Sequence, residues 1–210
     1  MVERGDGMFQ ITEFGRMVMG QIPYFQFAKR HSAFFKDHTL GGIPEKFVQR
    51  IGALQNCKMV NSVTAVLQKL KELESSATKS IKVMAPQAWP EEGPIFLDKA
   101  GLGVDIYVLV GYNTLMPKNV MEDITPRFQK LASKGIIKGG MLEQLNIGLY
   151  IADDSQAAVM FPSSKGEVDM NTMFVGEDPA FCEWCSDYFN SAWETSSKPI
   201  NPNKMKVAEY

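Results

Sequence analysis

The chain has 210 residues, 45% of them hydrophobic and 22% charged, and its 22 Lys and Arg against 24 Asp and Glu leave a formal net charge of -2. That length suits one core-bearing domain with an appendage, or two small domains. The nearly balanced charge excludes a global attraction to nucleic acid or anionic membrane, so any DNA contact has to be local.

The three cysteines, Cys57, Cys182 and Cys185, are few and odd in number, unlike a secreted disulfide framework, and point to a reducing, cytoplasmic setting. Apolar runs such as Ile106 to Val110 fall far short of the roughly 20 residues that span a bilayer. Residues 1–7 carry no apolar signal region, so neither export nor membrane insertion is expected.

In chain order, Val2 to Thr12 reads as a β-hairpin turning at Gly5-Asp6-Gly7. Thr12 then caps a helix whose Phe14, Met17 and Val18 make an apolar stripe up to Pro23. A second helical run from Tyr24 to about Lys36 is rich in aromatics, and Phe47, Val48, Ile51 and Leu54 recur at helical spacing after Pro44. Tyr24, Phe25, Phe27, Phe34 and Phe35 occupy more than one face, which predicts a homodimer contact through this segment.

From Cys57 onward, short apolar runs alternate with amphipathic segments, which predicts an α/β fold with a mixed sheet flanked by helices. Strands are expected at 57–60, 81–85, 104–110, 145–151, 157–161 and 168–174, the last two as an antiparallel pair around Pro162 to Gly166. Helices are expected at 63–74 and 119–133, and a final one is capped by Asp178 with Pro179 in its first position. The stretch after Trp193 reads as a frayed tail.

Motifs for catalysis are sparse. His31 and His38 stand beside no nucleophile, and Gly101-Leu-Gly103 leads into a strand where a phosphate loop would lead into a helix. Asp153 and Asp154 follow a strand end, where either a turn or a metal site uses acids. Cys182 and Cys185, three apart on a helix, share a side; they either pack as small hydrophobes or form a redox pair, and zinc would need two more ligands. Neither a cofactor nor a resident metal is expected. Trp89, Tyr112 and Asn113 follow two strands and either line a ligand crevice there or pack the strand ends.

With these segments in place, the chain resembles the archaeal winged-helix regulators that include the methanogenesis and filamentation regulatory proteins. Residues 2–16 look like that family's wing and the helix behind it, and the run from Phe34 through Ile43-Pro-Glu to Leu54 is similar to its linker. The stretch from Cys57 to Trp193, including Leu102-Gly-Val-Asp-Ile106, looks like its effector domain. The resemblance implies four segments: the end of a winged helix at 1–22, a helical linker or dimerisation segment at 23–56, an α/β effector domain at 57–195 and a tail at 196–210. It implies a homodimeric regulator that binds DNA and senses an unknown small-molecule effector or a redox signal. The other reading is a stand-alone ligand-binding or protein-interaction domain.

The recognition helix that should precede the wing is absent, so Arg4 is the plausible DNA contact and specific affinity is expected to need the upstream part of the winged helix. The family's effector domain is also loosely similar to phospholipase-D-like domains. The HxK motif of that chemistry is missing here, so the expectation is a protein that is not an enzyme.

Overall fold

A computed structural model describes residues 2–3 and 9–208. β1 (Val2–Glu3) and β2 (Phe9–Gln10) pair antiparallel, and the turn between them lies outside the described residues. α1 (Glu13–Met19) starts at Thr12, whose hydroxyl accepts the Gly15 amide at 3.0 Å. α2 (Ile22–Arg30) and the short α3 (Glu45–Val48) follow.

The α/β part then runs β3 (Lys58–Asn61), α4 (Val63–Ser76), β4 (Ser80–Gln87), α5 (Glu92–Gly101), β5 (Asp105–Pro117), α6 (Thr125–Ser133) and β6 (Ile137–Leu142). It continues with β7 (Gly148–Ala152), β8 (Gln156–Met160), β9 (Thr172–Gly176), α7 (Pro179–Thr195) and β10 (Lys206–Ala208). Among the described residues these strands form one mixed eight-stranded sheet in the order β10-β5-β4-β7-β8-β9-β3, with β6 also on β5. β4, β5, β6 and β10 pair in parallel, because α5 and α6 provide the crossovers that parallel neighbours need. The pairs from β4–β7 through β9–β3 are antiparallel.

Alternation along the strands fills two separate cores. Ile81, Val83 and Ala85 on β4, with Ile106, Val108 and Val110 on β5, face Val66, Leu70 and Leu73 of α4 and Phe96 of α5. Met84, Leu109, Leu149 and Ile151 face the other way, against Phe181, Trp184, Cys185 and Phe189 of α7.

Residues 23–56 contribute to this second core and have none of their own, since Phe27, Ile43, Phe47, Ile51 and Leu54 are buried in it. The Trp184 indole donates to the Phe47 carbonyl at 3.0 Å, and the Phe34 ring meets Phe174 edge-on at 5.0 Å. His38 fastens the segment to the loop before β9, with Nε2 3.1 Å from Asp169 and Nδ1 2.8 Å from Asp37 and 3.0 Å from the Phe34 carbonyl. Burial opposes the charged imidazole, but the hydrogen bonds to Asp37, the Phe34 carbonyl and Asp169 outweigh it and raise its pKa. The expected dimer aromatics Phe27, Phe34 and Phe35 are thus turned onto this chain's own sheet, while Phe25 stays exposed.

Four local expectations are corrected. The 119–133 helix is a π-type turn at Val120–Ile124 followed by α6, which Pro126 opens in the first turn where its missing N–H costs nothing. β5 runs well past Val110, and β6 and α5 are additional elements. The tail after Trp193 is ordered: Ser197 exchanges backbone hydrogen bonds with Met141 of β6 at 2.8 and 2.9 Å, and β10 joins β5.

The β7–β8 turn explains the acids at 153 and 154. Asp153 adopts a positive φ of 55° and accepts the amides of Thr78, Lys79 and Ser80 at 2.7 to 2.9 Å, together with the Thr78 hydroxyl at 2.8 Å. Asp154 takes Lys82 at 2.8 Å and Ser186 of α7 at 2.7 Å. Burial alone would raise the Asp153 carboxyl, but these donors overcome it and bring its pKa down to about 2. Asp153→Ala should therefore lower the unfolding free energy by about 2 kcal/mol at neutral pH, the scale for hydrogen bonds to a charged group. Because the folded pKa is depressed, the wild-type advantage is full above the unfolded value of about 3.9 and fades as pH falls toward about 2. Denaturant titrations of both proteins across that range check the size and the pH window.

Candidate functional site

On the face that carries α4, α5 and α6, the helices do not close over the sheet, and a cavity of about 530 Å³ remains. Its floor is sheet: Val83 and Ala85 of β4, Val108, Val110 and Met116 of β5, and Ile137 and Gly139 of β6. Glu92 and Phe96 of α5 form one wall, and Ile124, Phe128 and Gln129 form the opposite one. The segment after α7 makes the roof with Pro199, Ile200, Pro202 and Met205. That volume lies within the range of small-molecule sites, which are mostly apolar with a few polar groups. A more polar groove of about 670 Å³ adjoins it and shares Thr125, Gln129, Pro199, Ile200 and Pro202.

Glycine spacing makes the roof fit. A Cβ at Gly139 would lie 2.7 Å from the Ile200 side chain, and one at Gly140 would lie 2.4 Å from the Ser196 hydroxyl. A Cβ at Gly93 would lie within 2.3 Å of Ile124, so bare backbone at that position lets the two walls approach.

The ionisable group in the lining is an acid. Glu92 is only 5% exposed, and the Tyr150 hydroxyl donates to it at 3.3 Å. Behind it Glu74 of α4 is fully buried, and neither carboxyl oxygen has a hydrogen-bond partner. Burial first, and then the charge of Glu92, push the Glu74 carboxyl far above the usual carboxylate range; burial does the same to Glu92. Both carboxyls are therefore neutral over much of the physiological range.

Of the three expected ligand residues, the structure brings Trp89 to the cavity, where its indole N–H is buried without a partner. Tyr112 and Asn113 are not among the lining residues. They sit in a bulge within β5: Ala85 pairs with Val110 but Gln87 with Leu115. Asn113 spends its amide on the backbone of Leu145, accepting its N–H at 2.8 Å and donating to its carbonyl at 3.0 Å. The Tyr112 hydroxyl stands 3.4 Å from the Lys204 ammonium. Arg4, the expected DNA contact, lies outside the described residues.

Cys182 and Cys185 are free thiols on the buried face of α7, and Cys182 is 3% exposed. Burial, with Asp178, Asp154 and Glu177 nearby, pushes the Cys182 thiol up to about 11, and burial raises Cys185 further. The acids and the desolvation outweigh the helix N-terminus, so the structure favours packing over thiolate chemistry.

The fold is shared with TrmBL2. This structure, described as an archaeal chromatin protein showing a novel mode of DNA binding, superposes at a TM-score of 0.54 and 14% identity, over 89% of this chain and 67% of that one. NucT from Helicobacter pylori superposes at 0.51 and 14% identity, over 68% of this chain and 100% of that one. Nuc from Salmonella typhimurium, a phospholipase D family member, gives 0.49 and 16% identity, over 70% of this chain and 99% of that one. No family model matches the sequence, and no curated protein matches it.

At these identities the likeness establishes the fold alone, a mixed α/β sheet with flanking helices. It corrects the expectation that this chain is not an enzyme. NucT, an enzyme, shares this fold, so the missing HxK motif does not by itself exclude catalysis here.

If burial governs the cysteines, Cys182 and Cys185 should resist a thiol-specific disulfide reagent in the native state at pH 8 and react fully in denaturant. Timed absorbance of the released thiolate checks this. Rapid native labelling at Cys182 would restore the redox reading.

Proposed function

We propose that this chain is the effector portion of a DNA-binding transcriptional regulator, and that the signal it receives is a small, largely apolar molecule held in the cavity between β4, β5, β6, α5 and α6. The cavity is the observation that carries the reading. It is bounded by sheet, helices and the C-terminal strap and partly open to solvent, and it presents an unpartnered indole N–H and a carboxyl whose pKa burial raises, among apolar walls. Such a site rewards a ligand that fills volume and supplies one or two hydrogen bonds. Occupancy ties α5 and α6 to the strap, which gives ligand binding a mechanical consequence at the surface.

DNA as the partner is supported by the shared architecture with TrmBL2, whose description concerns DNA binding. That likeness extends beyond the sheet to 89% of this chain. The test is an electrophoretic-mobility titration of the gene's own upstream duplex against the product of the complete reading frame, at about 0.15 M salt where weak phosphate contacts are screened. The expected outcome is a complex on that duplex and not on a scrambled one, with a midpoint that moves when the cavity is filled. Equal affinity for both duplexes overturns the regulator reading.

The protein acts as a homodimer through its front face. α1 has no buried residue, its Phe14 at 76% exposure, Met17, Val18 and Met19 are all exposed, and so is Phe25 of α2 at 66%. Exposed apolar surface of this kind marks a protein contact, and a second copy offers the same surface to match it. Sedimentation velocity at micromolar concentration should show a dimer that Phe14→Glu with Phe25→Glu converts to monomer. A monomeric wild type removes this part of the proposal.

A further inference from the structure

Resting on the reading of the cavity as a ligand site, we propose that its ligand is a lipophilic amine, bound as the ammonium ion against Glu92 with its apolar body among Phe96, Phe128 and Ile200.

Three observations converge on a cation. First, Glu92 is the acidic residue in the lining, and none of the described lining residues is Lys, Arg or His, so an anionic ligand would meet acid and no counter-charge. Second, the walls carry the rings of Trp89, Phe96 and Phe128, whose faces attract an ammonium group in a site shielded from water. Third, the acid is poorly compensated, because burial outweighs the attraction of Lys71, the cation near it. Glu74 stands behind it with both oxygens unpartnered, and burial leaves the pair without the solvation that carboxylates need.

A neutral ligand would leave this arrangement as it is. An ammonium ion supplies the counter-charge, and each charge then makes the other's burial tolerable.

The charged and titratable groups facing Glu92 are Tyr150 of β7, which donates to it, Glu74 and Lys71 of α4, and Glu91 at the start of α5. Burial raises the Glu92 pKa, the hydrogen bonds from the Tyr150 hydroxyl and the Trp89 backbone lower it, and Glu91 and Lys71 act in opposite senses with less weight; the balance lies at about 8. Since the ammonium binds the ionised carboxyl, the empty site has to lose a proton on binding whenever pH lies below that value. Affinity for an amine therefore falls as pH drops, while affinity for a neutral analogue stays level.

The experiment uses the intact chain and three probes of one shape: 4-phenylbutylamine, 4-phenylbutan-1-ol and 4-phenylbutanoic acid. Calorimetric titration at about pH 8.5 should rank the amine at least tenfold tighter than the alcohol, with the acid weakest. Between about pH 8.5 and 6.5 the amine should weaken by roughly tenfold or more, and at the lower pH each amine bound should release close to one proton, read from buffers of different ionisation heat.

Glu92→Gln, which keeps the shape and the Tyr150 contact, should abolish both the amine preference and the proton release while the alcohol still binds. Glu74→Gln serves as a second variant, expected to keep both the preference and the pH at which it fades, because Glu74 stays protonated while Glu92 titrates. Ile200→Trp, which fills the roof, should block all three probes.

If amine and alcohol bind alike and Glu92→Gln changes nothing, the amine inference fails and the cavity reading stands. Tightest binding of the acid also overturns the inference. If no probe binds at millimolar concentration, or if Ile200→Trp leaves binding untouched, the cavity reading falls and the inference falls with it.

Discussion

The fold depends on how one buried hydroxyl closes a gap in the central strand. β5 leaves its ladder with β4 after Val110 and rejoins it at Leu115. The side chain of Thr114 bridges that break, its oxygen accepting the Gly111 amide at 2.8 Å and its hydrogen going to the Ala85 carbonyl at 2.8 Å. Backbone groups stranded inside a sheet are costly, and this single side chain satisfies one from each strand. Asn113 does the same for Leu145 on the neighbouring loop. Because the break is sealed, β5 continues to Pro117, and there β10 finds an edge to pair with. Without that edge the strap keeps its Ser197 pairing with Met141 and loses the strand that fastens its far end.

The interior of the cavity carries a tension that the rest of the molecule does not share. Elsewhere several acids are matched: Asp153 by three amides, Asp154 by Lys82 and Ser186, and Asp187 and Glu183 by Arg50. Glu74 instead has no hydrogen-bond partner, and Glu92 has the Tyr150 hydroxyl and the Trp89 backbone. An apolar pair of similar volume would be expected to make a more stable core. A region that gives up stability in this way, beside an opening of ligand size, fits the general pattern in which perturbed carboxyls gather at functional sites.

The sequence makes much of this fold legible and hides the parts that shape the site. β7 and β8 are nearly continuous apolar runs because both faces of the sheet are covered, and α4 and α7 declare themselves by stripe and cap. β6 escapes notice because Gly139 and Gly140 look like a turn, whereas they are bare so that the strap can cross them. The strap reads as a frayed end because Ser, Pro, Asn and Lys form its order through backbone pairing and not through periodicity. α5 opens with Glu92 and Pro94 in its first turn, residue types that suit a helix start and so left a readable trace.

The cavity acid left one readable trace. Glu74 falls four residues after Leu70 and eight after Val66, on the apolar stripe itself, where a charged side chain asks for an explanation. Strand-end reasoning reached Trp89 and failed for Tyr112 and Asn113, because a bulge in the middle of a strand carries no distinctive pattern.

The strap also sets the order in which the site comes into being. Residues 199–205, which complete the roof, follow every other part of the wall in the chain. Chains emerge from the ribosome at about 5 to 20 residues per second, and early segments can fold before later ones exist. For several seconds of synthesis the sheet can therefore stand with Glu92 and Trp89 open to water. In that interval the nascent chain offers a wider trough where the finished protein has a roofed cavity. A small molecule present in the cell meets the trough first, and closure of the strap can trap it as a built-in part of the newborn protein.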